Sequence, residues 1–346
     1  MNAQELFGIQ LPILQAPMAG VQTSALTIAV SQAGGLGSLP CAMLTHDALR
    51  AELAAIAASS IRPYQINFFA HTPPTPNASR ERAWRTALAP YYAEFGIDPG
   101  TIPTGPGRMP FSREALDLIA PFRPPVVSFH FGLPADELLA PIRAWGGKIL
   151  SSATTLAEAH WLSARGVDAI IAQGLEAGGH RGMFLSDDLT TQVGTLPLVR
   201  QIVRDVDKPV IAAGGIADAA GVAAVLQLGA VAAQVGTAYL LCDEATTSAI
   251  HRQALTSAAT EHTALTNLFT GRPARGIVNR LMRELGPISA LAPAFPLATS
   301  AVAPLRAKAE AIGSGDFSPL WSGQNASGCR TIPADRMTRQ LAGVSA

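Results

Sequence analysis

Eight short apolar runs alternate with helical stretches along the first 255 residues, and this alternation constrains the fold more than any other feature of the chain. Many of the runs end in or near a Gly, Asn or His. Runs that are apolar on both faces and separated by helices are typical of a parallel sheet. The eight runs cover residues 13–18, 35–40, 64–69, 125–132, 147–152, 168–174, 208–215 and 230–240.

The stretches between these runs have the apolar spacing of amphipathic helices. Eight strand–helix units that close on themselves form a (β/α)8 TIM barrel, and a doubly wound open sheet is the alternative within the α/β class. The number and the even spacing of the units favour the barrel. The predicted helices cover residues 24–33, 46–59, 134–144, 155–165, 195–204 and 218–228.

Two regions interrupt the alternation. Residues 71–111 are rich in Pro, Gly and aromatic residues and predict an insertion after strand 3, whereas residues 256–346 predict a C-terminal helical extension. Both could be solvated linkers, but large aromatic side chains such as Trp321 favour burial. We therefore expect both regions to pack over the barrel mouth or against the last helices. The predicted domains are a barrel, 1–255, and an extension packing on it, 256–346.

The composition argues against several classes of protein. The chain has 25 basic and 25 acidic residues and a formal net charge of zero, which is unusual for a nucleic-acid-binding protein. The three cysteines form no CxxC pair, and no signal peptide or apolar run of membrane-spanning length is present. We expect a cytoplasmic protein without nucleic-acid or membrane partners. A charged fraction of 14% favours self-association as a homodimer.

Two glycine-containing segments indicate an anion site at one end of the barrel. In such barrels the loops after strands seven and eight commonly bind phosphate through backbone N–H groups and a helix N-terminus. Gly214 and Gly215 end the seventh run, Asp218 can cap the next helix, and Gln234–Thr237 lie within the eighth run. A Gly-Gly pair is also ordinary turn chemistry. Because both loops carry such features, we predict phosphate binding here.

The sixth run leads into a loop, 173–182, in which polar side chains lie among four glycines. Gln173 can offer a donor and an acceptor to a planar amide-like ring, and His180 titrates near neutrality. The simpler interpretation of His180 is a capping or solvated histidine. Arg181 either orients the loop, pairs with Asp187, or is solvated.

Polar residues inside two other apolar runs are further candidates. His130 lies near the end of the fourth run, and strand alternation decides whether it faces the barrel interior or is a core histidine. Asn67 in the third run needs a partner, either backbone or a bound ring. We interpret the remaining histidines as solvated, with His71 a weak exception because it opens the insertion: His46, His71, His160, His251 and His262.

Several common catalytic motifs are absent from the sequence. There is no GxxxxGK[ST], HExxH or GxSxG, so P-loop, zinc-protease and α/β-hydrolase chemistry lack support. No GxGxxG follows the first strand, and residues 34–37 do not have its spacing. A resident NAD(P)-binding fold is therefore not indicated, although barrels can bind nicotinamides without one.

Six segments taken in order resemble the nitronate monooxygenases, formerly called 2-nitropropane dioxygenases. The combination of SFHFG and EAGGHRG is similar to the class I branch. The similarity spans about residues 10–245, and residues 321–324 resemble the family's C-terminal segment. The six segments are QAPMAG (15–20), Asn67, SFHFG (128–132), AQGLEAGGHRG (172–182), AAGGIAD (212–218) and QVGT (234–237).

The resemblance implies a barrel that holds FMN non-covalently and has no metal. Residues 17–19 would pass under the flavin, and both candidate histidines, His130 and His180, would line the substrate side. One of them would be catalytic, and the class I resemblance favours His130. The implied FMN-binding residues are Pro17, Met18, Ala19, Asn67, Gln173, Gly178, Gly179, Gly214, Gly215, Gln234, Val235, Gly236 and Thr237.

The family chemistry implied is oxidation of an alkyl nitronate such as propionate 3-nitronate with O2, through a flavin semiquinone, to a carbonyl compound and nitrite. Such a site must bind an anion, for which histidine donors and oriented N–H groups are suited. A neutral nitroalkane would also need a histidine base with a pKa near neutrality. Detoxification would be a natural role.

Two other functions fit parts of the same pattern. A flavin reductase of the same superfamily, acting on enoyl-carrier-protein or quinone substrates, would share the flavin loops but would need NAD(P)H. Reduction of the bound flavin by NADH would identify it. A catalytically silent barrel that binds a phosphate ligand as a sensor or scaffold is the alternative outside enzymes, and failure to take up FMN would support it.

Overall fold

The computed structural model describes residues 2–59, 63–102 and 107–344. All eight predicted runs contain a strand, and three further short strands lie outside them. The strands are β1 (Ile13–Gln15), β2 (Gly37–Pro40), β3 (Tyr64–Phe69), β4 (Val126–His130), β5 (Lys148–Ala153), β6 (Ala169–Gln173), β7 (Gly179–His180), β8 (Val210–Ala213), β9 (Ala232–Val235), β10 (Thr263–Thr266) and β11 (Ala274–Ile277).

Within the described residues, eight parallel strands form one sheet in the order β1-β9-β8-β6-β5-β4-β3-β2. A bridge between Leu14 and Leu36 joins the two edges of this sheet. Leu36 N donates to Ile13 O at 2.9 Å, and Gln15 N donates to Leu36 O at 2.9 Å. The predicted (β/α)8 TIM barrel is therefore confirmed, and the open sheet is excluded.

Helices follow the strands around the outside of the barrel, and all six predicted helices are present with ends within two residues of the expected ones. The helices are α1 (Ala3–Phe7), α2 (Ser24–Gln32), α3 (His46–Ser59), α4 (Ala78–Glu94), α5 (Arg113–Ile119), α6 (Asp136–Ala144), α7 (Leu156–Ala164), α8 (Thr195–Asp205), α9 (Ala219–Gln227), α10 (Ala249–Leu255), α11 (Arg280–Leu285), α12 (Ala298–Ala311) and α13 (Ala334–Leu341).

The N-terminal end of the barrel is closed by α1. Leu6 and Phe7 of this short helix pack with inward-facing strand residues that include Leu14, Leu150 and Ile211. Burial of such side chains stabilises the fold by about 1.5–3 kcal/mol each. Ligand access is consequently restricted to the opposite end, where the strands have their carboxyl termini.

Strand alternation decides which side chains face the barrel interior at that open end. Ile66 packs outward against the helices, so Asn67 faces inward. Phe129 also packs outward, which turns Ser128 and His130 inward on the neighbouring strand. The sequence left open whether His130 faces the barrel interior, and the structure places it on the interior side.

The insertion forms a helix that the sequence analysis did not predict. Helix α4 begins at an Asn77 cap and contains Pro90. Its Trp84 and Tyr92 are buried in a cluster with α11 and α12, and Tyr92 Oη donates to Ala301 O at 2.7 Å. The insertion therefore packs against the C-terminal region. Residues 103–106 of the insertion lie outside the described residues.

The last helix belongs to the outer ring of the barrel. Met337 and Leu341 of α13 are buried in the same core as α2 and α9, and Tyr239 Oη lies 2.9 Å from Thr338 Oγ1. Helix α13 thus occupies the position of the eighth barrel helix, after a long excursion of the chain. The domain division at residue 255 stays a prediction.

A small antiparallel sheet connects this excursion to the loop after β6. Strand β11 pairs with β10 on one side and with β7 on the other, where Ala274 lies opposite His180. A further bridge joins Gly276 to Trp321. The sheet fixes His180 and Trp321 beside each other, with ring centroids 5.6 Å apart.

Candidate active site

A cavity of about 290 Å3 occupies the open end of the barrel. This volume is near the lower limit of sites that bind small molecules. The lining includes all but one of the residues implied by the resemblance: Pro17, Met18, Ala19, Asn67, His130, Gln173, Gly178, Gly179, His180, Gly214, Gly215, Gln234, Gly236 and Thr237. Val235 is the exception because its side chain packs outward among the helices.

The segment after β1 is held by a buried glutamine. Gln22 Oε1 accepts from Met18 N at 2.9 Å and from Gln15 Nε2 at 2.7 Å, and Gln22 Nε2 donates to Ser38 O at 2.6 Å. These bonds fix the course of residues 17–19 along the cavity wall. The sequence analysis did not single out Gln22.

Two amide side chains line the cavity with part of their hydrogen-bonding capacity already used. Asn67 Nδ2 donates to Ser128 Oγ at 2.8 Å. Gln173 Oε1 accepts from Gly182 N at 2.7 Å, and its Nε2 donates to His180 O at 2.9 Å. Gln173, at the start of the loop after β6, thus holds the end of that loop.

Both ring nitrogens of His130 have partners within the protein. Nε2 lies 3.1 Å from His180 O, and Nδ1 lies 3.0 Å from Ser152 Oγ. A carbonyl only accepts, so the hydrogen-bond network assigns the proton to Nε2 and leaves Nδ1 to accept from the Ser152 hydroxyl. His130 is thus fully hydrogen-bonded and holds the backbone of His180.

His180 is arranged differently, with one nitrogen open to the cavity. Its Nε2 lies 2.9 Å from Thr270 Oγ1. Its Nδ1 has no partner among the described residues, and it is not one of the polar atoms sealed from solvent. The ring is enclosed by Phe69, Phe295 and Trp321 at centroid distances of 5.4–6.2 Å. His180 can therefore exchange a proton with a molecule in the cavity at Nδ1.

Burial keeps the histidines of this region neutral. It lowers the pKa of His130 to about 4, despite the opposing bond to the His180 carbonyl, and nearby Arg272 acts in the same direction as burial. Burial also lowers the pKa of His180 well below its usual range, with Arg108 the next contributor. At neutral pH the cavity therefore presents neutral imidazoles in a positively charged surrounding.

Arginine 181 organises the loop after β6 from within the core. Its side chain is fully buried and donates to Gln173 O at 2.8 Å, Gly174 O at 2.5 Å and Gln192 Oε1 at 2.9 Å. The prediction that Arg181 orients the loop is confirmed, and pairing with Asp187 is not observed among its bonds. A solvated Arg181 is excluded.

Two of the histidines interpreted as solvated are buried instead, so that interpretation was wrong for them. His251 is 5% exposed, lines the cavity, and its Nε2 lies 3.1 Å from Trp321 O. His71 is also 5% exposed, and its Nε2 lies 3.2 Å from Arg108 O. Their partners come from the extension and the insertion, which local sequence patterns do not bring together.

The lowered histidine pKa values predict a pH dependence of stability. Burial lowers the pKa of His251 to about 4, so the unfolded chain binds more protons than the folded chain between about pH 4 and 6.5. The free energy of unfolding should fall as the pH decreases through this window. We expect His251→Gln to reduce that fall, measured by denaturant unfolding at several pH values. The change His160→Gln, at an exposed histidine, should leave the pH dependence of the unfolding free energy unaltered. The same pH dependence in the wild type and in both variants would contradict the prediction.

The described residues contain neither a cluster of metal-binding side chains nor a membrane-spanning helix. Residues 2–59, 63–102 and 107–344 contain no group of three or more His, Cys, Asp and Glu side chains placed to hold a metal ion. The same residues contain no helix of the length and apolar character needed to cross a membrane.

Comparison with known proteins identifies the family. The model of the nitronate monooxygenase family matches residues 2–342. A nitronate monooxygenase of Pseudomonas aeruginosa is 41% identical over 344 residues, which cover 97% of this chain and 96% of the relative. The chain belongs to the nitronate monooxygenase family. It is accordingly an oxidoreductase, and the resemblance noted in the sequence is confirmed.

Solved structures extend the comparison to the fold. A nitroalkane oxidase from Streptomyces ansochromogenes superposes with a TM-score of 0.87 at 40% identity, covering 98% of this chain and 96% of that one. FabK from Thermotoga maritima superposes with a TM-score of 0.70 at 25% identity, covering 99% and 95%. The same barrel fold thus also occurs in FabK, a protein with a name other than nitronate monooxygenase.

Proposed function

We propose that the protein is an FMN-dependent nitronate monooxygenase that oxidises alkyl nitronates with O2 to a carbonyl compound and nitrite. The observation that carries the proposal is the open Nδ1 of His180 in a cavity lined by the residues that the family resemblance assigns to FMN. Membership of the family and the name of the Streptomyces relative support the same substrate class. A cytoplasmic location, a homodimer and a role in detoxification stay predictions.

The loops after β8 and β9 fit a phosphate group. The N–H groups of Gly215, Gly236 and Thr237 donate to no protein acceptor in the described part of the chain. Gly215 has a φ of +72°, a conformation that side-chain-bearing residues rarely adopt. Unpaired N–H groups beside a helix capped by Asp218 are the usual components of phosphate sites. These groups would hold the phosphate of FMN.

The remaining wall of the cavity fits the polar part of a flavin nucleotide. Gln234 Oε1 is buried without a partner among the described residues and can accept from a ligand hydroxyl. Gly178 allows a close approach of the extension, since a Cβ there would lie 2.5 Å from Gly323 N. Asn67 and Gln173 face the same space. Bound FMN would supply an acceptor for single electrons, which the side chains of this site do not provide.

His180 can accept or donate a proton at Nδ1, and the direction of its hydrogen bond with Thr270 decides which. If the Thr270 hydroxyl donates to Arg272 O, 3.3 Å away, it accepts from His180 Nε2–H and leaves a lone pair on Nδ1. That lone pair can remove a proton from the carbon beside a nitro group. Burial lowers the pKa of His180 well below the near-neutral range expected from the sequence, so His180 is a weaker base than that expectation implied. If the hydroxyl instead donates to Nε2, Nδ1 carries the proton and can donate to a nitronate oxygen. One histidine thus serves neutral and anionic substrates.

His130 is a positioning residue in this proposal rather than the proton carrier favoured by the class I resemblance. Its two ring nitrogens are engaged by Ser152 and by the His180 carbonyl. Together with Gln173, which donates to the same carbonyl, it fixes where the His180 ring stands.

A glycine substitution tests the phosphate assignment. In Gly215→Ala the new Cβ would lie 3.2 Å from Glu176 Cβ in a left-handed backbone conformation, so the segment should relax and turn its N–H groups away. We expect the dissociation constant of FMN to rise about tenfold, equivalent to about 1.4 kcal/mol, measured by flavin fluorescence in equilibrium titrations.

The matched control is Gly146→Ala. Gly146 has a φ of +82° and open space around its Cβ position, and it lies between α6 and β5 at the opposite end of the barrel. The control carries the same backbone strain without a contact to the cavity, so its affinity for FMN should be that of the wild type. Equal affinities for the two variants would remove the phosphate assignment from Gly215.

A further inference from the structure

Arg108 of the insertion lines the cavity with an arginine side chain. The residue is half-buried, and its carbonyl oxygen accepts from the buried His71 ring at 3.2 Å, which fixes the backbone at this point. Burial lowers the pKa of the Arg108 guanidinium, and the charge of Arg306 acts in the same direction. The guanidinium is therefore a partly desolvated cation at the wall of the site.

Within residues 2–59, 63–102 and 107–344, this guanidinium forms no hydrogen bond or ion pair. Each neighbouring arginine has at least one partner: Arg181 bonds two carbonyls and Gln192, Arg272 bonds Met183 O and lies over Phe131 although its Nε is buried without a partner, and Arg306 Nε bonds Glu310 at 2.7 Å. A partly buried charge without a partner is unfavourable. Among the described residues, Arg108 is thus the cavity-lining arginine whose donors all lack a protein acceptor.

His180 and His71, the histidine that bonds the Arg108 carbonyl, both contact the ring of Phe295. The Phe295 ring centroid is 4.9 Å from that of His71, which bonds to Arg108 O, and 5.4 Å from that of His180. The positive charge of Arg108 is close enough to contribute to the lowered pKa of His180. A small ligand whose reacting carbon approaches His180 could therefore extend toward Arg108.

We propose that Arg108 is a specificity-determining residue that binds a carboxylate at the end of the substrate remote from the nitro carbon. A guanidinium suits this role because its planar N–H groups can bond both oxygens of a carboxylate. The preferred substrates would be nitronates that carry a second anionic group. The inference rests on the proposed function, since it concerns the same cavity.

The test compares a nitronate that carries a carboxylate with one that has no second charged group, using the holoenzyme. For Arg108→Met, KM for propionate 3-nitronate should rise about 10- to 100-fold with a nearly unchanged kcat, the usual range for losing one charge-assisted contact. KM for butyl 1-nitronate should hardly change. Arg108→Lys should restore part of the loss, because it returns the charge but not the planar pair of donors.

The control is Arg85→Met, an arginine of the same insertion that bonds the carbonyls of Pro99 and Ile102 outside the cavity. It should leave both KM values unaltered. An equal rise of KM for both nitronates in Arg108→Met, or no rise for either, would overturn the inference.

Calorimetric titration with 3-nitropropionate separates this inference from the proposed function. If the wild type oxidises no nitronate, the proposed function fails, and the binding measurement still reports on Arg108. Binding by the wild type that is about 10-fold or more weaker in Arg108→Met supports the carboxylate contact. Equal binding by the two proteins would overturn it.

Discussion

His180→Asn is expected to lower kcat/KM for a neutral nitroalkane by about 10²- to 10⁴-fold, the usual contribution of a general base, while FMN remains bound. Asparagine keeps a polar side chain beside Thr270 but has no nitrogen that can take up a proton. With a preformed nitronate the loss should be smaller, because no proton has to be removed from carbon. Steady-state rates with nitroethane and with its nitronate, on protein of equal flavin content, check this expectation.

His130→Asn is the informative comparison. Because His130 acts by holding the His180 carbonyl, its loss should reduce the rates with both substrates to a similar and smaller extent. His160→Asn, on the exposed face of α7, should have no effect. If kcat/KM for the neutral nitroalkane falls further in His130→Asn than in His180→Asn, the general base is His130 and not His180.

Arg181→Met is expected to destabilise the protein by about 3 kcal/mol, because leaving a buried acceptor unsatisfied costs about 1–3 kcal/mol. Three acceptors lose a donor at once, namely Gln173 O, Gly174 O and Gln192 Oε1, although Gly174 O keeps its bond from Ala177 N at 3.1 Å. Removal of the buried charge offsets part of this cost. For a chain of 346 residues, the fall in Tm should be about 4 °C, measured by calorimetry together with the flavin content.

The matched control for this prediction is Arg200→Met. Arg200 also donates to a backbone carbonyl, Leu228 O at 2.8 Å, but on the exposed side of α8. Its unfolding free energy should change by less than about 0.5 kcal/mol, as is usual for surface substitutions. Equal destabilisation of the two variants would mean that the bonds of buried Arg181 stabilise the protein no more than the surface bond of Arg200 does.

The barrel could be predicted from the sequence because each of its strands is a local pattern. Runs such as 168–174 are apolar on both faces, and a parallel strand covered by helices requires that pattern. Helix α4 escaped prediction because Pro90 and the Pro-rich residues before Asn77 indicate a loop, whereas its buried face is defined by α12, more than 200 residues away. The two-residue strand β7 has no sequence signal of its own.

The strand-end residues of the cavity were predicted individually, whereas for the rim the sequence predicted only that the insertion and the extension pack over the barrel mouth or against the last helices. Side chains on strand ends, such as Asn67 and Gln173, follow from strand alternation. Arg108 reaches the cavity from the insertion, Trp321 from the extension and His251 from α10, and only long-range packing brings them together. Their apolar or charged character is visible in the sequence, but no spacing pattern indicates that these residues come together in the fold.

The choice between the two candidate histidines depended on hydrogen bonds that a motif does not encode. SFHFG and EAGGHRG present His130 and His180 equally well as sequence. The structure distinguishes them because the partners of His130, Ser152 and the His180 carbonyl, lie on other segments of the chain.

The most direct test of the proposed oxidation is the visible spectrum of the flavin-loaded protein without oxygen, recorded before and after adding propionate 3-nitronate. A parallel sample receives NADH instead. The flavin absorbance should change with the nitronate and stay constant with NADH, and admitting O2 should restore it with release of nitrite. Bleaching by NADH with no response to the nitronate would contradict the proposal and identify a nicotinamide-dependent reductase.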